Sequence, residues 1–263
     1  MQQLQLVKRK RTANLMGIID KDRWRRIVIV SDNHSHSICP LTEEKLFQVI
    51  KDFQPTDRIH LGDFTDLAAW RDGASPRDRL ESVGADVDRG LEFVERFKPD
   101  VMTFGNHDWR LWKKEMEGNP DSSEYARIQI KKIQELFKKT GTRSFAWGVR
   151  NGVYEIAGQK MIHGYSAGLT ATATMGRAYG RCVHGHNHTG DIIWLGTYDG
   201  GFAQSCPSMA DNTKMGYQLG QIASFKHVSG FALAIADIQK RKYYPGYVVK
   251  DGNSFIMMEP KVL

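Results

Sequence analysis

The chain contains little cysteine and no long apolar run. Only three cysteines occur among its 263 residues, Cys39, Cys182 and Cys206. An odd, widely spaced set is typical neither of a disulfide framework nor of a zinc knuckle, so we expect reduced thiols. No apolar stretch approaches the roughly 18 residues of a membrane span, and residues 1–11 lack the apolar core of a secretory signal. We therefore expect a cytoplasmic protein without a membrane partner.

Acidic residues are too few to balance the basic ones. The formal net charge is +7, and much of the excess lies in residues 1–26, where Lys8–Arg11 has no compensating run of acids. Such a segment either contacts an anionic partner such as nucleic acid or only keeps the protein soluble, and the sequence leaves both alternatives open. No internal repeat or low-complexity linker follows. We treat residues 1–25 as a basic N-terminal arm and residues 26–263 as a single domain.

The first half of the domain alternates strand and helix patterns. Short apolar runs bounded by charge or glycine predict strands, while apolar residues at helical spacing predict the helices between them. This alternation is typical of an α/β fold with parallel strand pairing. The predicted strands are 26–30, 58–61 and 100–104, and the predicted helices are 42–53 and about 76–97.

The second half of the chain has a different pattern. Residues 109–140 are amphipathic and helical, and we interpret them as an insert packed on the core; the alternative is that Arg110, Lys113 and Lys114 line a substrate groove. After Gly141, short strands and turns predict a second, largely antiparallel sheet. The predicted fold class is therefore α/β (α+β), with two β-sheets packed face to face. The strands predicted in this half are 144–149, 153–156, 160–162, 181–183, 192–196, 231–238 and 243–249.

Polar clusters follow the predicted strands. In the last cluster, His186 and His188 are separated by one residue, a pair that by itself is equally compatible with a surface loop. Ligand sites in open α/β sheets gather at the carboxyl ends of strands, and imidazole with carboxylate or amide oxygens suits Mn, Fe or Zn. In chain order, the clusters are Asp32-x-His34, Gly62-Asp63-x-x-Asp66, Gly105-Asn106-His107-Asp108, His163-Gly164 and Gly185-His186-x-His188.

These five clusters, taken together and in this order, resemble the calcineurin-like metallophosphoesterases over roughly residues 26 to 240. The resemblance implies an αββα sandwich of two mixed β-sheets flanked by helices, and a phosphoester hydrolase with two metal ions. It implies one metal held by Asp32, His34 and His188, and the other held by Asn106, His163 and His186. Asp63 would bridge the two ions, and His107, steadied by Asp66, would face the leaving group.

The resemblance also implies the chemistry. A hydroxide that bridges the two metals would attack phosphorus in line, and His107 would act as general acid toward the departing alkoxide. The donor set contains oxygen and nitrogen but no thiolate, which suits Mn²⁺ first, with Fe, Zn or Ni as alternatives. Neither a nucleotide-binding glycine loop nor a serine nucleophile is required.

The substrate class depends on a residue that the chain lacks. Protein phosphatases of the same broad family continue the second cluster with Val-Asp-Arg-Gly, whereas this chain has Phe64-Thr65-Asp66-Leu67. Without that arginine to clamp a phosphomonoester dianion, a singly charged diester is the more natural substrate. The basic chain favours a nucleic acid or nucleotide diester, so we expect a phosphodiesterase such as a nuclease or a cyclic-nucleotide hydrolase.

Other interpretations stay open on the sequence alone. A phosphomonoesterase or protein phosphatase is the first alternative, with Arg110 or Arg177 as the clamp. A non-catalytic scaffold is the second, although a scaffold would have no reason to keep His107 beside Asn106. Four aromatic residues near the clusters either stack a base or belong to the core, namely Trp109, Trp112, Tyr165 and Tyr179. The sequence carries no indication of the oligomeric state.

Overall fold

The fold is a four-layer sandwich with two β-sheets between helices. A computed structural model describes residue 20 and residues 22–197, 200–215 and 222–262; residues 1–19 and 21 of the predicted basic arm lie outside this range. The predicted fold class is confirmed, because both sheets contain parallel and antiparallel pairs. Among the described residues, no helix combines the length and the apolar character that crossing a bilayer requires.

The first sheet has seven strands in the order β12-β11-β10-β1-β2-β3-β4. Strands β1 to β4 run parallel, whereas β10 pairs antiparallel with β1 and continues through β11 to β12. The carboxyl ends of β1 to β4 therefore meet at one edge. These strands are β1 Trp24–Val30, β2 Asp57–His60, β3 Val101–Thr103, β4 Arg143–Phe145, β10 Gly230–Asp237, β11 Lys242–Asp251 and β12 Ser254–Met258.

The second sheet has five strands in the order β5-β6-β7-β9-β8. The predicted antiparallel character is wrong for its centre, because β6, β7 and β9 are parallel. The prediction also assigned the strands near 144–149, 231–238 and 243–249 to this sheet, whereas the structure places them in the first sheet. The strands are β5 Val153–Ile156, β6 Gln159–Ile162, β7 Cys182–His184, β8 Ile192–Trp194 and β9 Phe202–Ser205.

The helices differ from the predictions mainly at their beginnings. Helix α1 begins two residues before the predicted cap, because Pro40 occupies its first turn and Cys39 precedes it. Helix α2 begins at Val83 rather than near Pro76, since the Ser82 side chain accepts a hydrogen bond from the Ala85 amide and caps it. The insert is two helices. The bounds are α1 Pro40–Phe53, α2 Val83–Phe97, α3 Arg110–Met116, α4 Pro120–Thr140 and α5 Ala171–Tyr179.

Strand β1 is buried on both faces. Ile27 and Ile29 point to the interface with the second sheet, where they pack in one cluster with Met161. Val28 and Val30 point to the opposite side and pack beneath the helices. Because successive side chains of a strand alternate between faces, a run that is apolar at every position requires cover on both sides.

The loop that follows β2 passes very close to the loop that follows β3. Gly62 has a φ of +101°, and a β-carbon at this position would lie 2.5 Å from the Gly105 amide nitrogen and 2.8 Å from the Phe104 carbonyl carbon. Both atoms belong to the backbone and cannot turn away. Only glycine therefore fits where these two loops cross.

We expect the substitution Gly62→Ala to lower the free energy of unfolding by roughly 2–6 kcal/mol, combining left-handed backbone strain with overpacking. Gly118→Ala is the matched control, because Gly118 has a φ of +79° but a β-carbon there would meet no other atom within 4 Å. The control substitution should lower the free energy of unfolding by only about 1–2 kcal/mol. Urea unfolding followed by circular dichroism measures both values, and equal losses would contradict the close crossing.

Candidate metal centre

The predicted ligand side chains converge at the shared edge of the two sheets. Each comes from a loop that directly follows a strand, because the carboxyl ends of parallel strands meet there. The residues, in strand order, are Asp32 and His34 after β1, Asp63 after β2, Asn106 after β3, His163 after β6, and His186 and His188 after β7. The structure thus brings together side chains that lie up to 156 positions apart in the sequence.

Asp32, His34 and His188 form the first ligand group. One donor atom from each lies within 4.8 Å of the others, and all three residues are buried. The two Nε2 atoms of His34 and His188 are 3.3 Å apart, and Asp32 Oδ1 lies 3.9 Å and 3.5 Å from them. Asp32 Oδ1 has no hydrogen-bond partner among the described residues. Three inward-facing donors around one point are typical of a cation site.

Asp63, His163 and His186 form the second ligand group, again with donor atoms within 4.8 Å of one another. Asp63 Oδ2 lies 3.2 Å from His163 Nε2. The Asn106 Oδ1 atom lies 3.1 Å from the same nitrogen, so the predicted amide ligand also belongs to this group. The side chains therefore supply carboxylate, amide and imidazole donors, and thiolate is absent from the set.

The electrostatics of the two groups favour deprotonated ligands. Burial alone would raise the pKa of Asp63, but the facing His163 and His107 hold it well below its usual range. The pKa of Asp32 is also lowered, because the neighbouring His188 outweighs the effect of burial. Burial lowers the pKa of His186 to about 3, which keeps this imidazole neutral. Anionic carboxylates and neutral imidazoles are the forms that bind cations.

His163 behaves differently while no cation neutralises the carboxylates. Burial alone would lower its pKa, but the charge of Asp63 and the hydrogen bond to it raise the pKa to about 9. The Nδ1–H of His163 donates to the Leu61 carbonyl at 2.8 Å, so Nε2 is the atom that faces Asp63. A cation binding at Nε2 must displace a proton from it.

The backbone around the ligands is strained. Five of the predicted ligands have left-handed φ values, between 45° and 69°, which are uncommon for residues other than glycine. Such conformations cost on the order of 1–3 kcal/mol each and cluster at functional sites. These residues are Asp32, His34, Asp63, His186 and His188.

Backbone hydrogen bonds and glycines hold the strained loops together. The amide of Asp32 donates to the Gly62 carbonyl, and the amide of His34 donates to the Asp63 carbonyl. The His186 amide donates to Asp32 Oδ2 at 2.9 Å, which joins the two ligand groups. A β-carbon at Gly185 would lie 2.6 Å from the same carboxylate oxygen. The close approach of loop and carboxylate therefore requires glycine.

His107 and Asp66 form the predicted pair beside the ligand groups. The His107 Nδ1–H donates to Asp66 Oδ1 and to the Asp66 carbonyl, both at 2.8 Å. Its Nε2 then faces Asp63 Oδ2 at 3.9 Å. Burial alone would lower the pKa of His107, but Asp63 and the hydrogen bond to Asp66 raise it. The pair gives the ring a defined orientation, and the raised pKa favours its protonated form.

Arg110 and Arg177 are the two arginines that the sequence offered as phosphate clamps. The Nη1 of Arg110 donates to the Asp66 carbonyl at 2.6 Å and to the Leu67 carbonyl at 3.3 Å, so it supports the loop that carries Asp66. Arg177 is exposed on α5, and it lines neither of the two cavities that border the ligand groups. Arg110 thus lines the smaller cavity while it supports the Asp66 loop, whereas Arg177 lies away from both cavities.

Asn212 and Asp86 are supporting residues that carry no signal in the sequence, whereas Asp108 belongs to the third sequence cluster. Asn212 Oδ1 accepts a hydrogen bond from His188 Nδ1 at 3.0 Å, which leaves Nε2 facing the first ligand group. The Asp108 carboxylate accepts bonds from the amides of Asp63, Thr65 and Gly105. Asp86 on α2 accepts from the Asp66 amide at 3.0 Å. Only the tertiary structure brings these residues to the site.

The donor chemistry therefore fits two cations. Each ligand group offers buried oxygen and nitrogen donors that converge, and the first group contains a buried carboxylate oxygen without a partner among the described residues. An unpaired buried acceptor is costly, and a bound cation removes that cost. Borderline-hard divalent ions prefer this mixture of carboxylate, amide and imidazole.

Two cavities border the ligand groups. A cavity of about 710 Å³ reaches His34 and Asp66, and a smaller one of about 280 Å³ reaches Asn106 and Arg110. Arg71 lines both cavities. His34 of the first ligand group therefore borders one cavity, and Asn106 of the second ligand group borders the other.

Comparison with known protein families agrees with this geometry. The family described as calcineurin-like phosphoesterase matches residues 25–199 of the chain. No curated protein sequence matches it. Among solved structures, the phosphoesterase YfcE from E. coli is similar, with 15% sequence identity, coverage of 83% of this chain and 96% of that chain, and a TM-score of 0.38.

We expect the ligand groups to be separable by mutation. His188→Ala should reduce the content of bound Mn²⁺ from two ions to one per chain, whereas Asp63→Asn should weaken both sites, since its carboxylate is the proposed bridge. Inductively coupled plasma mass spectrometry after equilibrium dialysis measures the content. His36→Ala is the control, because His36 lies outside both groups. Two ions retained in Asp63→Asn with unchanged affinity would refute a shared carboxylate.

Proposed function

Because the chain belongs to the calcineurin-like phosphoesterase family and is a metal-dependent phosphoester hydrolase, we propose that its substrate is a phosphodiester of a nucleotide or nucleic acid. The observation that carries this proposal is the pair of cavities, one beside each ligand group. A diester has two substituents on phosphorus, and both need room. A monoester has only one.

The ligand assignment of the proposal follows the two groups. Asp32, His34 and His188 would hold one cation, and Asn106, His163 and His186 would hold the other. The Asp63 carboxylate would be available to both. Mn²⁺ suits this donor set, with Fe, Zn or Ni as alternatives. Cations bound there supply Lewis-acid polarisation of the phosphoryl group and of the attacking water.

His107 is the proposed proton donor. As the bond between phosphorus and the leaving oxygen breaks, the alkoxide takes the proton from His107 Nε2. Asp66 keeps Nδ1 protonated through its 2.8 Å hydrogen bond, so the other ring nitrogen is the one that gives its proton away. Asp66 also stabilises the imidazolium before transfer. Arg110 and Asp86 hold the Asp66 loop in place from either side.

The charge of the larger cavity supports a diester. Four carboxylate residues line it, Asp66, Asp78, Glu81 and Asp86, against three Lys/Arg residues, Arg71, Arg77 and Lys214. Of these cations, Arg71 already pairs with Asp78 at 2.5 Å. A phosphomonoester dianion would meet this carboxylate-rich wall with two negative charges, whereas a diester carries only one. The basic chain, with a net charge of +7, still favours a polyanionic substrate at longer range.

We expect the Mn²⁺-loaded protein to hydrolyse bis-p-nitrophenyl phosphate with a higher kcat/KM than p-nitrophenyl phosphate. The physical reason is that the diester uses both cavities and carries one charge less. The absorbance of released p-nitrophenolate measures both reactions on the same preparation, and protein treated with EDTA provides the blank. A clear preference for the monoester would overturn the diester assignment while leaving the phosphoesterase intact.

We expect His107→Ala to lose about 10²–10⁴-fold in kcat with a dinucleotide, whose leaving alkoxide needs a proton. The loss should be much smaller with bis-p-nitrophenyl phosphate, because p-nitrophenolate is stable without one. Asp63→Asn is the comparison variant, since loss of metal binding should impair both substrates alike. Equal losses for the two substrates in His107→Ala would contradict the role of proton donor.

A further inference from the structure

Three tryptophans meet in the smaller cavity beside the second ligand group. Trp70 follows β2, Trp109 follows β3, and Trp147 follows β4. Since these strands are adjacent and parallel, their carboxyl ends bring the three indoles together at one edge of the sheet. We call this cavity the tryptophan groove; its volume is about 280 Å³, and Asn106 forms part of its wall.

The ring of Trp109 is supported on one side by another aromatic ring. It stacks on that of Trp112, with centroids 5.5 Å apart and planes at 11°. Trp112 in turn is half-buried, with its ring centroid 4.5 Å from that of Phe104, and packs against the core cluster there. Trp109 itself is half-buried and belongs to none of the core clusters among the described residues. A large aromatic ring supported from behind is typical of a stacking surface.

Trp147 is held by a loop that two tyrosines fix. The Gly148 amide donates to the Tyr165 hydroxyl at 3.1 Å, and the Tyr179 hydroxyl donates to the Val149 carbonyl at 2.8 Å. These tyrosines therefore support the groove. The indole Nε1–H of Trp147 is buried and has no hydrogen-bond partner among the described residues. Trp147 therefore lines the groove from a loop that these hydrogen bonds hold in place.

The polar residues of the groove suit a phosphorylated ligand. Four of them are basic and two are acidic, namely Arg71, Arg110, Lys113, Lys114, Asp72 and Glu117. The Lys113–Asp72 pair is well exposed, at 52% and 92% for the two side chains. Exposed ion pairs contribute little to stability, so Lys113 can exchange this partner for a phosphate at small cost.

We propose that the tryptophan groove binds the nucleobase of the nucleoside that stays on phosphorus during hydrolysis. The inference rests on the proposed function and names its substrate class. Asn106 joins the groove to the second ligand group, whereas the Asp66 side chain, which orients the proton donor, opens on the other cavity. The leaving group therefore occupies the larger cavity, and the base stacks on Trp109.

The size of the groove supports a single ring system. Pockets for drug-sized ligands occupy about 300–1,000 Å³, so 280 Å³ lies just below that range. Aromatic stacking depends on the π-face that every base shares, and it discriminates little between sequences. We therefore expect a preference for substrates with a base over substrates without one, and only a weak preference among bases.

Two esters with the same leaving group test the inference. Thymidine 5′-(p-nitrophenyl phosphate) carries a base on the retained side, and methyl p-nitrophenyl phosphate does not. The Mn²⁺-loaded wild type should show a higher kcat/KM for the thymidine ester. In Trp109→Ala and Trp147→Ala, the ratio of the two values should fall roughly 5- to 100-fold, the range expected for one stacked base. Trp109→Phe should restore most of the ratio.

Trp194→Ala is the matched control, because Trp194 is 75% exposed on β8 and does not line the groove. This variant should keep the wild-type ratio of the kcat/KM values for the two esters. A wild-type ratio of kcat/KM values near one would overturn the base subsite. Equal changes of this ratio in Trp109→Ala and Trp194→Ala would overturn it as well, and both outcomes would leave the proposed hydrolysis unaffected.

A binding measurement separates failure of the inference from failure of the proposed function. Isothermal titration calorimetry compares thymidine 5′-monophosphate with 2-deoxyribose 5-phosphate, which lacks the base. The nucleotide should bind the wild type more tightly, and Trp109→Ala should abolish the difference. If neither ester is hydrolysed, the proposed function fails and the calorimetry alone decides the inference. Equal affinities for the two phosphates would refute the base subsite whatever the activity.

Discussion

Two buried carboxylates, those of Asp32 and Asp63, determine how this protein is organised. Burying an anion is costly unless opposite charge or hydrogen bonds surround it. Here imidazoles face both groups, and their attraction outweighs burial, so both pKa values are lowered. This arrangement is incomplete in protein alone, since one oxygen of Asp32 has no partner among the described residues. The family to which the chain belongs generally completes it with two metal ions.

The arrangement strains the backbone, and close packing compensates for that strain. Five predicted ligands have left-handed backbones, and each such residue must be held by its surroundings. Bonds between loops do so: the loops after β1 and β2 are joined by backbone hydrogen bonds, and Asp108 ties the loops after β2 and β3 together. A site of this kind is rigid, and it leaves little freedom for substitution at Gly62 or Gly185.

The same sheet edge extends beyond the ligand groups. A tryptophan follows each of the strands β2, β3 and β4 at this edge, and the three tryptophans line one groove with Asn106. Placement at carboxyl strand ends therefore explains both the proposed metal centre and the proposed base subsite. The structure also shows which contacts are made by two residues whose roles the sequence left open. Arg110 and Tyr165 support loops, the first beneath Asp66 and the second beneath Trp147.

The sequence by itself determined the candidate ligand residues, the five clusters and the first three strands, because these depend on local patterns and on chain order. It did not determine which sheet β4, β10 and β11 join. Strand pairing depends on packing between residues that are far apart in the sequence, and the local pattern of a strand does not specify its partner. The supporting roles of Asn212 and Asp86 could not be predicted from the sequence either. Their side chains reach the site through hydrogen bonds that only folding creates, since the bonded residues lie 20 and 24 positions apart in the chain.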